Sequence, residues 1–495
     1  MKKKLNRKKF IQLSAFGAVG LYLSACNIKE NEEQKNVEEK IKESIQNESK
    51  NPSINVTKND VVFYTKADAS YNQLRQGFNK RVQKNPSIIA QCKTENGIIA
   101  AIQKAKENKL PISIKSGGHS FEGFSSNNNG LVINLSSMKK IEWLNEHTIR
   151  VEPGCTLSDL NDELIPKNKI LPAGSCGGVG IGGLTLGGGY GFFSRKYGLT
   201  CDSLTELNLI DSNGKIHTIK KDDELMWACK GGGNGNFGVV SSMTFQLYDA
   251  PKHFTSHRFR LKNGSVEKIE TVLKKWFALT QDLPHSCFSA FVLNGKNLLI
   301  LLTDFEENIS VAQKFKNELL NYTDSQQIGS PKPLKKSLEV FEGIREPILF
   351  KNSSAGFYTN FNDIQPFIKE VIQKVADTRG MIYQINTLGG NINKKEFEVA
   401  SSYPHRKYNY LSELQIYWDN KNDNKNFEAA FEAVQHIFKE NNIQTQYRNY
   451  PDIYFENWER AYYGNNYERL QVIKQKYDAN NLFRYEQSIE GKMKI

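Results

Sequence analysis

Residues 171–192 read LPAGSCGGVGIGGLTLGGGYGF. Glycine stands at 174, 177, 178, 180, 182, 183, 187, 188, 189 and 191, with one thiol among them, Cys176, and no charged residue. Backbone without Cβ atoms lets another molecule approach the main chain closely. Successive free N–H groups suit a phosphate or the edge of a flat ring. A flexible linker of equal glycine content would be polar and Ser-rich. Here Val179, Ile181, Leu184 and Leu186 interleave, so the stretch is buried or half-buried. On composition alone it fits a cofactor loop and a tightly packed structural corner equally. KSGGHS (115–120) and GGGNGNFG (231–238) have the same character and add an imidazole, His119. Two further runs carry acid–base groups. YRNYPD (447–452) holds two phenols, Tyr447 and Tyr450. ELQIY (413–417) has the period of a strand, with Glu413, Gln415 and Tyr417 on one face and Leu414 and Ile416 on the other. That polar face looks either at a bound substrate or, on a sheet edge, at solvent.

These groups need elements to hold them. A β-like run at 86–92 precedes an amphipathic helix opened by Thr94, with Ile98, Ile99, Ile102 and Ala105 at helical spacing. A strand at 111–115 completes a β-α-β unit and runs directly into 116–120. Strands are expected at 130–135 and 148–154, a helix at 157–164, and a hairpin over 204–219 that turns at DSNGK. A helix starts at Asp222, and 231–238 leads into another strand. Beyond Pro251 the glycine density falls. Strands at 288–293, 298–303 and 411–417 then alternate with helices at 266–280, 311–321 and 426–439. The expected class is α+β, with a glycine-rich domain over 59–250, a second domain over 251–446 and an aromatic-rich C-terminal segment over 447–495.

The net charge of +12 is no nucleic-acid signal. Six of the 66 basic residues (Lys2, Lys3, Lys4, Arg7, Lys8 and Lys9) lie within residues 1–25, and without them 60 basic residues face 54 acidic ones. No basic stripe interleaved with aromatics follows. The basic start and the apolar run 10–25 form an export leader, too short to span a bilayer comfortably. It ends in LSAC (23–26), which resembles the bacterial lipobox and marks Cys26 for lipidation. NRKKFI (6–11) resembles a degenerate twin-arginine signal with Lys8 in place of the second Arg. Residues 26–58 form a polar tether without core-forming residues. The expected location is the bacterial cell envelope, lipid-anchored on the periplasmic or outer-surface side. The other six cysteines are widely spaced, with neither a CxxC pair nor a metal-ligand spacing, so no metal and no disulfide framework is expected.

KSGGHS, AGSCGGVGIGG with GGGYG, GGGNGNFG, and a C-terminal YYGNN…RL…KYDANNLF occur in that order. Together they resemble the berberine-bridge-enzyme-like FAD-linked oxidases of the vanillyl-alcohol-oxidase superfamily, from about residue 60 to the end. The resemblance implies a two-part PCMH-type FAD-binding domain, an α/β substrate domain with a large antiparallel sheet, and a C-terminal segment that returns to the FAD domain. It implies bicovalent FAD, with His119 on the 8α-methyl and Cys176 on ring carbon C6. Ser116, Gly117, Gly118, Ser120, Gly174, Val179, Gly182, Gly183, Gly188, Gly189, Gly191, Gly238, Val239, Asn449 and Asn481 are the expected cofactor contacts.

Val179 takes the place where, in that family, a small residue goes with oxidase activity. By the same resemblance Tyr450, with Tyr447 beside it, is the expected base, its phenol pKa lowered by an electron-poor neighbour. Glu413 and Gln415 are expected to face the substrate. Pro404-His405-Arg406 also matches a family pattern, although Lys407 stands where Gly is usual. The expected activity is oxidation of an alcohol, such as a sugar or oligosaccharide anomeric carbon, with dioxygen reduced to hydrogen peroxide by a monomer. A dehydrogenase passing electrons to another acceptor, or an oxidase of a secondary metabolite, are the alternatives. Replacing Cys26 by Ala is expected to move the protein from the membrane to the soluble fraction. Detergent phase partition and intact mass measure that change.

Overall fold

The computed structural model describes residues 56–492. The leader, Cys26 and nearly all of the tether lie outside the described residues. A first sheet contains β1 (Val61–Tyr64), β2 (Ile88–Cys92), β3 (Ile112–Lys115) and β4 (Leu131–Asn134) in the order β1-β2-β4-β3. Helix α1 (Glu95–Glu107) links β2 to β3. Thr94 caps it, accepting the Gly97 N–H at 3.1 Å, and Ile98, Ala101, Ile102 and Ala105 bury its apolar face. Strands β2 and β3 both run parallel to β4, so the expected β-α-β unit is present and delivers residues 116–120 at the end of β3.

A second sheet is antiparallel throughout. It contains β5 (Ile141–Asn145), β6 (Thr148–Val151), β7 (Leu204–Ile210), β8 (Ile216–Lys220) and β9 (Val239–Gln246) in the order β5-β6-β9-β7-β8. The hairpin read at 204–219 is β7-β8. Two short helices pack here, α2 (Ile181–Leu186), inside the glycine-rich stretch, and α3 (Glu224–Gly232), capped by Asp223. Helix α2 was not legible in the sequence. Its glycines at 182 and 183 are poor helix formers in water, and burial of Ile181 and Leu186 overrides that preference.

The third sheet has eight strands, every pair antiparallel. It contains β10 (His253–Leu261), β11 (Cys287–Asn294), β12 (Asn297–Asp304), β13 (Ser325–Gln327), β14 (Leu349–Tyr358), β15 (Met381–Thr387) and β16 (Tyr410–Trp418). The order is β13-β10-β12-β11-β15-β16-β14, and the two-residue strand Lys332–Pro333 pairs with β10. Helices α4 (Val266–Thr280), α5 (Ile368–Asp377) and α6 (Asn424–Glu440) cover one face. There they bury Trp276, Tyr383, Leu414, Ile416, Phe431 and Phe438. The sequence reading missed β14 and β15. Lys351, Asn352, Ser353 and Ser354 run consecutively in β14, so the period-two signal is lost in a strand buried on both faces.

The C-terminal segment packs on the first two sheets. Tyr462 and Tyr463 of α7 (Trp458–Tyr463) and Leu470 and Ile473 of α8 (Tyr467–Tyr477) join Leu225 and Met226 of α3 in one core. Arg406, in the loop before β16, pairs with Asp202 through two bonds of 2.8 and 2.7 Å, both side chains buried. Lys474 on α8 is fully buried. Its ammonium donates to Asn236 O at 2.8 Å, Asp478 Oδ2 at 2.7 Å and Phe483 O at 2.7 Å, using all three of its protons. Asp478 also accepts the N–H groups of Leu482 and Phe483. Lys474→Ala is therefore expected to cost about 3–5 kcal/mol, the range for breaking a buried pair, in a denaturant titration.

Candidate active site

A cavity of about 330 Å³ runs between the glycine loops and the third sheet. One wall is backbone. The loop at 116–120 and the stretch at 174–183 meet so closely that a Cβ on Gly117 would lie 2.4 Å from Gly180 N. Ser116 fastens the contact by donating to Pro153 O. Cys176 and Val179 sit at the two ends of a turn closed by a Val179 N–H to Cys176 O bond of 3.1 Å. Its central residues are glycines with little room for a Cβ. A Cβ on Gly177 would strike Ser158 Oγ, and one on Gly178 would lie 3.1 Å from His119 Nε2. His119 stacks on Phe78, with centroids 4.4 Å apart and planes 15° apart.

The opposite wall is the polar face of the third sheet. Asn352 on β14, Gln384 and Asn386 on β15, and Glu413, Gln415 and Tyr417 on β16 all line the cavity. Strand β16 lies between β14 and β15, so the alternative of a solvent-facing edge strand does not hold. Hydrogen bonds run along this face. Tyr417 OH donates to Gln415 Oε1 (2.9 Å) and Gln384 Nε2 to Asn386 Oδ1 (2.8 Å). Asn386 Nδ2 donates to Tyr190 OH (3.0 Å), which lies 3.0 Å from Tyr450 OH. Tyr450 is also fixed by its backbone, since its carbonyl accepts the Ser354 N–H at 2.9 Å. The Tyr447 hydroxyl accepts from Gly189 N–H (2.9 Å) and Asn449 Nδ2 (3.1 Å). Asp452 turns away and pairs with buried Lys351 at 2.8 Å.

Titration follows from burial. The His119 imidazole is pulled down to about 4 by desolvation, only partly offset by a bond to Gly178, so it is neutral. Desolvation, with Glu413 second, pushes the Cys176 thiol up to about 11. Cys176 is the one half-buried cysteine among the described residues, and the other five are buried. The Tyr450 phenol is held well above its ordinary value, first by burial and then by Tyr190 and Glu413. The expected lowering of that phenol is not supplied by the protein's own groups. Glu413 is the group nearest neutrality. Desolvation raises it to about 8, and bonds to Gln415 and Asn352 only partly oppose the rise.

Two family models match the chain, a FAD binding domain over residues 86–220 and a segment described as berberine and berberine like over 446–490. The uncharacterized FAD-linked oxidoreductase YgaK of Bacillus subtilis (strain 168) is 31% identical over 439 residues, covering 86% of this chain and 96% of that protein. The chain belongs to the berberine-bridge-enzyme-like family of FAD-linked oxidoreductases. Among solved structures, a chitooligosaccharide oxidase superposes with a TM-score of 0.80 at 24% identity, covering 88% of this chain and 98% of that one. The xylooligosaccharide oxidase from Myceliophthora thermophila C1, in complex with xylobiose, does so with a TM-score of 0.78 at 24% identity and the same coverage. These two likenesses carry the PCMH-type fold.

The residues present fit the family's FAD. Open space lies where a Gly183 Cβ would be, Ile114, Leu135, Leu186 and Val240 give the lining an apolar floor, and Asn234 Oδ1 is buried without a partner. Most of the expected contacts line the cavity: Ser116, Gly117, Gly118, His119, Ser120, Gly174, Cys176, Val179, Gly182, Gly183, Gly191, Gly238 and Asn449. Tyr447, Tyr450, Glu413 and Gln415 line it as well. Four expected contacts lie outside the lining. Gly188 and Gly189 sit behind it, against Tyr403 and Thr200, where Gly189 holds Tyr447. Val239 is buried in β9 beside Ile210. Asn481 lies in the turn after α8, its N–H on Asp478 O.

Sequence reasoning missed Tyr190, Asn352, Gln384, Asn386 and Phe78. Polar residues two apart in otherwise apolar runs were the available signal for Gln384 and Asn386. In the unfolded chain Glu413 releases its proton near 4.3. The folded carboxyl keeps it to about 8. Its contribution to stability is therefore complete below pH 4.3 and is lost as pH rises towards 8. Glu413→Gln is expected to flatten that decline in denaturation midpoints measured across this window.

Proposed function

We propose that this chain oxidises an alcohol, at the anomeric carbon of a mono- or oligosaccharide, with FAD attached through His119 and Cys176 and with dioxygen as electron acceptor. The observation that carries this is the pairing in one cavity of a bare-backbone cradle, bearing an imidazole and a thiol, with a hydroxyl-reading wall of amides around one buried carboxyl. The chitooligosaccharide and xylooligosaccharide oxidases it resembles in fold support the substrate class and the acceptor. Val179 beside Cys176 supports the acceptor too. We also propose that lipidated Cys26 tethers the enzyme, as a monomer, to the extracytoplasmic side of the cell envelope, periplasmic or outer-surface.

FAD held by His119, Cys176 and the glycine loops would supply hydride-accepting chemistry at the carbinol carbon. The remaining work falls to the chain's own side chains. In its ionised form, which predominates above about pH 8, Glu413 accepts the proton of the substrate hydroxyl. Tyr450 stays protonated and orients that hydroxyl, with Tyr190 and Asn386 fixing its position. Tyr447, held by Gly189 and Asn449, closes the site. His119 and Cys176 stand on the glycine-loop side of the cavity, which leaves the sheet side to the substrate.

The purified protein is expected to be yellow, to keep its colour through acid precipitation, and to bleach anaerobically with at least one member of a sugar panel. Reoxidation in air should release peroxide, and a bleached enzyme that stays reduced in air would remove dioxygen from the reading. His119→Ala with Cys176→Ala should release the flavin on acid precipitation. Colour retained in that double variant would overturn the covalent assignment.

A further inference from the structure

Asn352 uses only half of its amide. It is 5% exposed, lies opposite Gln415 in the β14–β16 register, and lines the cavity. Its Nδ2 donates to Tyr417 OH at 3.1 Å and reaches Glu413 Oε1 at 3.4 Å. Its Oδ1 is buried with no partner. The neighbours fix which way the amide faces. Tyr417 spends its one proton on Gln415 Oε1, so it can only accept from Asn352. The same direction continues through Gln415 Nε2 to Gln384 Oε1 (3.5 Å), then Gln384 to Asn386 and Asn386 to Tyr190. With Tyr417 donating to Gln415, reversing Asn352 would set its oxygen against the lone pairs of Tyr417. The row of donors therefore begins at Asn352 and leaves a bare acceptor beside Glu413. A buried acceptor without a donor costs about 1–3 kcal/mol. That acceptor is free to take a donor from a ligand bound in the cavity.

We propose that Asn352 Oδ1 receives a hydroxyl on the carbon next to the one oxidised, so that the site selects vicinal diols over isolated alcohols. This rests on the alcohol-oxidising reading above. One Asn352 amide touches Glu413 and carries the free acceptor, so neighbouring hydroxyls of one substrate meet neighbouring groups. One hydroxyl gives its proton to Glu413, and the other donates to Asn352. An alcohol lacking the second hydroxyl leaves the acceptor bare, the situation in which a polar site rejects an analogue most strongly. Asn352 is in this sense a specificity-determining residue.

The test compares paired alcohols on the flavin-loaded enzyme without oxygen, using glucose with 2-deoxyglucose and cyclohexane-1,2-diol with cyclohexanol. For each reacting pair, kcat/KM for flavin bleaching is expected to be at least about tenfold higher for the vicinal member, the effect of one hydrogen bond in a buried site. Asn352→Ala should remove that preference, and Asn352→Asp, which keeps an acceptor in place, should retain it. Equal rates within the pairs in the wild type overturn the proposal even where sugars are oxidised, and this arm needs no variant to fold. A preference that survives in Asn352→Ala overturns it as well. Bleaching by the cyclic diol but by neither sugar supports the proposal and overturns the saccharide reading. No bleaching by any member overturns both.

Discussion

Gly117 and Gly180 approach until a Cβ on either would lie 2.4 Å from the other's backbone nitrogen. That contact joins the end of β3 to the start of α2, and the rest of the site depends on it. It sets the Cys176–Val179 turn against His119, and it leaves main chain rather than side chains along one wall of the cavity. A side chain at either position would separate the two loops and move the imidazole away from the thiol. Van der Waals exclusion fixes this wall without any strong bond, and the sequence expresses it as glycine.

The facing wall follows a different constraint. Polar groups out of water need partners, and the third sheet supplies them by placing amides, phenols and one carboxyl on adjacent strands. Each member donates to the next, leaving over only the Asn352 acceptor, so the row stays rigid without a cation. Because none is there, burial dominates Glu413 and moves its titration from the acid range to about 8. The positive charge sits on the other side of β14 instead. Lys351 is fully buried, pairs with Asp452 at 2.8 Å and lies 3.4 Å from Glu122, which Arg81 holds at 2.6 Å. This network ties the C-terminal segment to β14 and to the loops before β2 and after β3. It holds Tyr450, two residues before Asp452, without placing a charge in the cavity.

The local elements were largely legible because each carried its own pattern. Thr94 and the spacing of Ile98 and Ile102 specified α1, and the DSNGK turn specified β7-β8. The expected helix at 266–280 coincides with α4, whereas the expected helix at 426–439 falls one to two residues short of α6 at each end. Strands β14 and β15 escaped because they are buried on both faces, one behind helices and one behind the cavity, so polarity no longer alternates with solvent. Helix α2 escaped because its glycines oppose helix formation in isolation and only the packing of Ile181 and Leu186 stabilises it.

The sequence by itself carried the glycine loops with one imidazole and one thiol among them, local facts that survive without a fold, and its resemblance to a family implied the flavin they would hold. It also determined that Glu413 and Gln415 share a strand face. Only the tertiary structure decided which way that face looks, because an internal strand and an edge strand have the same period. Only the structure decided the proton chemistry, since a pKa depends on how completely neighbours from distant segments exclude water. It raised the Tyr450 phenol rather than lowering it, and it singled out Glu413. Likewise, only the packing of β14 against β16 left Asn352 with an acceptor that nothing in the chain can fill.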